Sequence, residues 1–199
     1  PISLCDCDRS RGLVTIVYKC VGRGTELLSS LPAGTELDVL TGLGNGYDLS
    51  RSGSAPVLIG GGAGIPPLYW LCKALIEQGV LPHVVLGFNT ASDAFLVNEF
   101  RLLGPFSLSL TSTDGSLTGS MKGFVTDALP REYSYFYACG PLPMLRAVCK
   151  ASAVSGELSF EERMGCGFGA CMGCSILTVS GSKRICKDGP VLRKEEIIW

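Results

Sequence analysis

Pro56-Val57-Leu58-Ile59-Gly60-Gly61-Gly62-Ala63-Gly64-Ile65-Pro66-Pro67 decides how this chain is organised. The first four residues read as a short buried strand and the next five as a glycine turn. Leu68, Leu71, Cys72, Leu75 and Ile76 then recur at helical spacing, so a helix follows. A glycine turn between a buried strand and a helix is where a parallel sheet holds phosphate. Glycine lets the backbone approach a pyrophosphate, and the helix N-terminus supplies partial positive charge. Gly60, Gly61, Gly62 and Gly64 are the candidate contacts. The strict G-x-G-x-x-G pattern is not met, because Pro67 takes the third glycine's place after Gly62 and Gly64. Proline is tolerated in a first helical turn, where its missing N–H has no partner anyway. A tight structural turn is the competing explanation.

The alternation continues downstream. Residues 83–87, 106–111 and 133–139 read as strands, and 91–103, 125–129 and 142–152 as helices. Such alternation predicts a parallel sheet with helices on both faces. Cys139, Gly140 and Pro141 follow directly on one of these strands, at the carboxyl end where open α/β sheets bind ligands. They are candidates to meet a nicotinamide ring; for Cys139 a buried small apolar role competes. His83 lies in a strand and is expected to be structural.

Upstream, residues 13–21 and 36–40 read as strands, with turns at 22–25 and 42–46. Two or three strands cannot bury a core alone, so this unit belongs to a larger barrel or packs on its neighbour. The expected layout is a partial antiparallel β-barrel over 1–52, an α/β nucleotide-binding unit over 53–155 and a third unit over 156–199.

That third unit carries Cys166, Cys171, Cys174 and Cys186, spaced C-x4-C-x2-C-x11-C. The opening is the plant-type [2Fe-2S] spacing, and four thiolates hold two irons. Gly165, Gly167, Gly169 and Gly173 give the loop the backbone freedom to wrap a cluster. Structural zinc usually pairs two C-x2-4-C knuckles, whereas here the first gap is wider and the last cysteine stands alone. A disulfide knot is the other alternative for a chain with ten cysteines, but no secretory signal precedes them. Cys5-Asp6-Cys7 could suggest a metal pair, although no further ligand stands near. Cys20, Cys72 and Cys149 are expected to be ordinary thiols.

Of the 199 residues, 46% are hydrophobic and the net charge is −1, so there are ordinary cores and no basic footprint for nucleic acid. No run of 18 apolar residues suggests a membrane span. Free thiols without a signal peptide point to a reducing cytoplasm.

Taken in order, these motifs resemble the electron-transfer subunit of the NAD-dependent, B-type dihydroorotate dehydrogenase, within the ferredoxin-reductase superfamily. Pro1-Ile2-Ser3 resembles the end of the family's flavin motif Arg-Pro-x-Ser. Val17-Tyr18-Lys19 and Gly24-Thr25 resemble its other flavin-contacting segments, and Gly42-Leu43-Gly44-Asn45-Gly46-Tyr47 its closing barrel turn. The glycine turn and Cys139-Gly140-Pro141 resemble its pyridine-nucleotide motifs, and the four cysteines its cluster ligands. The family's barrel begins upstream of Pro1 and its motif opens on an arginine, so the expectation is a fragment or an incomplete gene model holding about half of an FAD-binding barrel.

The resemblance implies an electron relay from the flavin of a separate catalytic subunit, through a [2Fe-2S] cluster and FAD, to NAD+, in pyrimidine biosynthesis. It implies a heterotetramer with that subunit and no dihydroorotate site on this chain. An alternative is a ferredoxin-NADP reductase-like subunit of another oxidoreductase, of the sulfide dehydrogenase or hydrogenase type; a non-enzymatic metal-binding scaffold is a third. NAD is expected over NADP, because residues 84–93 carry no Arg or Lys and Asp93 would repel a 2′-phosphate. Met164, Phe168, Ala170 and Met172 flank the cysteines and are expected to dock on the flavin-bearing subunit.

Overall fold

The computed structural model describes all residues, Pro1–Trp199. Eleven strands and five α-helices follow in the order β1 Leu4–Asp8, β2 Leu13–Ile16, α1 Arg23–Ser29, β3 Val57–Gly61, α2 Ile65–Glu77, β4 His83–Phe88, α3 Val97–Leu102, β5 Ser107–Ser112, β6 Met121–Lys122, β7 Phe136–Cys139, α4 Leu142–Ala151, β8 Gly156–Ser159, β9 Ser175–Thr178, β10 Gly181–Arg184, α5 Ile185–Asp188 and β11 Val191–Arg193.

A seven-stranded sheet in the order β11-β8-β7-β3-β4-β5-β6 forms the centre. Every pairing from β8 to β6 is parallel; only β11 runs antiparallel, on β8. The α/β expectation is met. Strand alternation splits the core in two. Val57 and Ile59 face one side with Phe136, Leu145 and Leu158. Leu58 faces the other with Leu68, Leu71, Leu75, Leu86 and Tyr137. Burying each such side chain contributes roughly 1.5–3 kcal/mol. The chain winds outward from β3 through β4 and β5 to β6, then returns to the opposite side of β3 as β7. The carboxyl ends of β3 and β7 therefore flank a topological switch point, where such sheets bind ligands.

The sheet also runs across the boundary expected at 155/156. β8 and β11 extend it, and the cysteine-bearing residues form an excursion between these two neighbours. Ile185, Cys174 and Cys186 sit in the same core as Val57 and Phe136.

Upstream, the structure departs from the sequence expectations in several places. The strand expected over 13–21 stops at Ile16, because its partner β1 begins at Leu4, which pairs with Ile16, and no other strand lies alongside. Residues 36–40 are exposed and unpaired. The turn expected at 22–25 opens α1 instead, since the Thr25 hydroxyl takes the Val21 and Gly22 N–H groups at 3.0 and 3.3 Å. One hairpin and one helix stand where barrel strands were expected. The hairpin leans on α2, with Cys5 buried and Asp6 paired to Lys73 at 3.0 Å. The helix expected over 91–103 is broken: Thr90 and Asp93 close a single turn over Ala91–Asp93, Leu96 takes φ 59°, and only α3 continues. Residues 125–128 form one 3-10 turn, and β7 begins at Phe136 rather than 133.

Candidate nucleotide crevice and cysteine arm

The glycine turn and the Cys139 segment meet at the switch point. Gly61 ends β3, Gly62 takes φ 53°, and α2 starts at Ile65 with proline in its first turn. A Cβ on Gly64 would stand 2.2 Å from the Cys139 carbonyl carbon and oxygen, so only glycine lets the turn rest on β7. Gly140, at φ 157°, packs against the Gly61 carbonyl. Gly61, Gly62, Gly64, Cys139, Gly140 and Pro141 thus meet at one crevice, with Gly60 buried behind them among Leu68, Ile65 and Leu86. Gly62 and Pro141 are exposed to it while Gly64 and Cys139 are buried. Burial pushes the Cys139 thiol up to about 12, so it is a neutral, apolar wall rather than a nucleophile.

A strap fixes the crevice from below. Tyr47 Oη donates to the Ala138 carbonyl at 2.9 Å, and Tyr137 Oη to the Asp48 carbonyl at 2.8 Å. The Asp48 N–H donates to the buried Glu157 carboxylate at 2.9 Å. Burial raises the Glu157 pKa. Sequence reasoning missed Glu157. The signal available was a carboxylate in a four-residue strand buried at every position.

At the end of β4, Asp93 accepts from the Thr90 N–H and hydroxyl at 3.1 and 3.0 Å, so its carboxylate closes its own turn. A second carboxylate that the sequence did not single out, Asp114, lies alongside, its N–H donating to the Asn89 carbonyl. Lys122 on β6 reaches the same corner and packs over Gly115. His83 bonds Ser109 at 2.9 Å and is half-buried, which lowers its pKa; this is a structural role. A shallow cavity of about 320 Å³ lies near it at the amino ends of the strands, lined by Pro56, Pro82, Pro105 and Tyr133, away from the crevice.

The four cysteines come together as two pairs. Ala170 and Cys171 N–H groups donate to Cys166 Sγ at 3.2 and 3.4 Å. Backbone donors from Cys171 and Phe168 bring its thiol down to about 6, favouring thiolate. The Cys186 N–H donates to Cys174 Sγ at 3.4 Å, and both residues are buried. Burial, then the Cys174 neighbour, raises the Cys186 thiol. No three His, Cys, Asp or Glu side chains converge on one metal-ion position. Two thiol pairs with N–H donors aimed at sulfur suit a two-iron cluster, which takes two thiolates per iron. All ten cysteines are free of disulfides.

Residues 161–198 match a family model described as the iron-sulfur cluster binding domain of dihydroorotate dehydrogenase B. Two curated relatives bear the description dihydroorotate dehydrogenase B (NAD(+)), electron transfer subunit. That of Bacillus caldolyticus is 43% identical, over 100% of this chain and 79% of its own length. That of Fusobacterium nucleatum is 39% identical, over 99% and 79%. The chain belongs to the family of dihydroorotate dehydrogenase B electron transfer subunits. A solved NADH-dependent reduced ferredoxin-NADP oxidoreductase, studied for flavin-based electron bifurcation, is 34% identical with a TM-score of 0.89, covering 100% of this chain and 74% of that one. An Amycolatopsis cytochrome P450 reductase, 24% identical with a TM-score of 0.62 over 75% of this chain and 50% of its own, shares the fold.

Within this family member the candidate flavin segments gather at one end of the hairpin. Leu4 pairs with Ile16, so Pro1, Ile2 and Ser3 and the run Val17, Tyr18, Lys19 leave β1 and β2 side by side. Lys19 is exposed and pairs with no carboxylate; Gly24 and Thr25 open α1 just beyond. Backbone segments beside the exposed cations Lys19 and Arg23 suit a flavin nucleotide, whose phosphate takes a cation. The Gly44-Asn45 turn reaches the cysteine arm: Asn45 N–H donates to the Gly189 carbonyl at 2.7 Å, and its amide bonds Val191 in both directions. No helix is long and apolar enough to cross a membrane.

Proposed function

We propose that this chain carries electrons toward NAD+ in the dihydroorotate dehydrogenase B system, as a subunit of an oxidoreductase with no dihydroorotate site of its own. The observation that carries it is the joining of two sites on one sheet: a nucleotide crevice at the β3/β7 switch point, and a paired-thiol arm anchored between β8 and β11. The bound groups supply the redox chemistry: a [2Fe-2S] cluster moves single electrons, FAD exchanges one-electron for two-electron traffic, and NAD+ accepts a hydride.

The chain's own residues position these groups. Cys166, Cys171, Cys174 and Cys186 hold the cluster. Gly60, Gly61, Gly62 and Gly64 admit the pyrophosphate against the start of α2, and Cys139, Gly140 and Pro141 border the nicotinamide. Pro1, Ile2, Ser3, Val17, Tyr18, Lys19, Gly24 and Thr25 form a flavin face beside the β1–β2 hairpin and α1; 1–52 serves the flavin, 53–155 the nucleotide, and 156–199 holds the cluster while lending β8 and β11 to the nucleotide-binding sheet. Asp93 and Asp114 favour NAD over NADP by repelling a 2′-phosphate, with Lys122 acting against them. A flavin-bearing catalytic subunit, in a heterotetramer, docks over exposed Phe168 and Met172. Ten free thiols fit a reducing cytoplasm.

The test is the complex of this chain with a dihydroorotate-oxidising subunit. Dihydroorotate should reduce NAD+ about tenfold or more faster than NADP+, a difference of ~1.4 kcal/mol. Cys171→Ser should strip the visible cluster absorption and the paramagnetic signal of the reduced protein; retention of both overturns the ligand assignment. The fold shared with the ferredoxin-NADP oxidoreductase favours a second reading, a subunit of another oxidoreductase. Copurification with a partner that does not oxidise dihydroorotate would establish that one instead.

A further inference from the structure

The cysteine arm carries an ion pair that is built asymmetrically around the thiols. Arg184 ends β10 and stands opposite Ser175, the residue after Cys174. Its Nε donates to Asp188 Oδ2 at 3.0 Å and its Nη2 to Oδ1 at 3.4 Å. Its Nη1 turns the other way and donates to the Gly169 carbonyl at 3.1 Å, inside the loop from Cys166 to Cys171. Asp188 is held from a second side by the Arg184 N–H at 2.9 Å. The guanidinium therefore spans from Asp188 to the cysteine loop. The two side chains are 27% and 31% exposed, so solvent screens them less than it would a surface pair. Other charges stand near. Lys187 covers Gly169, and Glu161, Glu162 and Arg163 are exposed where the arm begins.

We propose that Arg184 and Asp188 set the reduction potential of the cluster from opposite sides, the guanidinium raising it and the carboxylate lowering it. The inference rests on the cluster reading above. Reduction adds one electron and no proton, so the cluster gains one unit of negative charge. A nearby cation stabilises that form and a nearby anion opposes it. Arg184 reaches the cysteine loop through the Gly169 carbonyl, and Asp188 ends the short helix that carries Cys186. Both are positioning residues, since neither is placed to ligate iron.

A brace and an electrostatic control predict different things. Breaking a brace from either end removes the Arg184–Asp188 contact and moves the potential the same way. Removing one charge of an electrostatic control moves the potential in a direction set by that charge's sign. The experiment is a dithionite titration of the cluster-loaded full chain, with redox mediators, read by the paramagnetic signal of the reduced form. Arg184→Gln should lower the midpoint potential and Asp188→Asn should raise it. The double variant should return close to the unsubstituted value, and Arg184→Lys should stay closer to it than Arg184→Gln. Shifts of the same sign, or none, overturn the inference while leaving the cluster reading intact. An unsubstituted protein that takes up no cluster removes both. Should Arg184→Gln fail to hold a cluster, Arg184→Lys and Asp188→Asn decide: a potential for Asp188→Asn at or below the unsubstituted value overturns it.

Discussion

Gly64 shows how little room the nucleotide crevice leaves at the scale of single residues. A methyl group there would strike the Cys139 carbonyl, which closes a fully buried strand and has little room to move. Gly64→Ala should destabilise the fold by ~1–3 kcal/mol through overpacking and weaken nucleotide binding with it. Denaturant unfolding and NADH titration check the two together; unchanged stability would mean that the turn yields freely. Glu157 gives a pH signature. Its folded pKa is raised, so between the unfolded value and the folded one the native state holds more protons, and stability falls as pH rises through that window. Glu157→Gln keeps an acceptor for the Asp48 N–H without the charge. Relative to the unsubstituted protein it should gain stability as pH rises through and above the ordinary glutamate range, measured as melting temperature against pH; a pH-independent difference would show that burial does not govern this carboxyl. Residues of this kind were only half legible in the sequence. The glycines announced themselves because backbone conformation selects for residue type. Glu157, Arg184 and Asp114 did not, because their partners stand far away in the chain or across a turn.

Elements were legible where their signals were local and lost where a neighbour decides them. α2 follows from its apolar spacing and β3 from its buried run, and both stand where expected. Residues 17–21 and 36–40 are as rich in strand formers, yet they have no partner to pair with, and strand propensity without a ladder produces no strand. α1 was hidden because its start depends on a threonine side chain closing back on Val21 and Gly22. β11 is the least conspicuous element and carries a large consequence. Three residues, two of them buried, tie the end of the cysteine arm to β8. Leu192→Ala should cost ~2–4 kcal/mol and loosen the arm more than the crevice. Hydrogen exchange should then show lost protection in β8–β11 with β3–β4 retained; uniform loss would mean that sheet and arm unfold as one.

For the molecule as a whole, the exposed apolar residues matter most. Phe168 is 60% and Met172 53% exposed, and Leu43, also exposed, lies beside Gly167. Under the proposed function these side chains belong to the surface that meets the catalytic subunit. Phe168→Asp or Met172→Asp should break the complex with the catalytic subunit, by size-exclusion chromatography, while the cluster spectrum stays unchanged. Complexes that assemble and reduce NAD+ at the ordinary rate would place the docking surface elsewhere. The excursion from β8 to β11 has one more consequence. Its mouth is narrow: the two strands are neighbours, and the Phe160 N–H donates to the Pro190 carbonyl at 2.9 Å. The edge of the sheet therefore sees a closed turn, while Cys174, Ile185 and Cys186 reach back from the loop into its core. Loop-closure entropy grows slowly with length, so residues can be added there at small cost. The arm is in this sense a partly exchangeable cassette: a nick in its exposed loop leaves both ends held by the ladder, whereas a change at Cys174, Ile185 or Cys186 is felt in the core of the sheet.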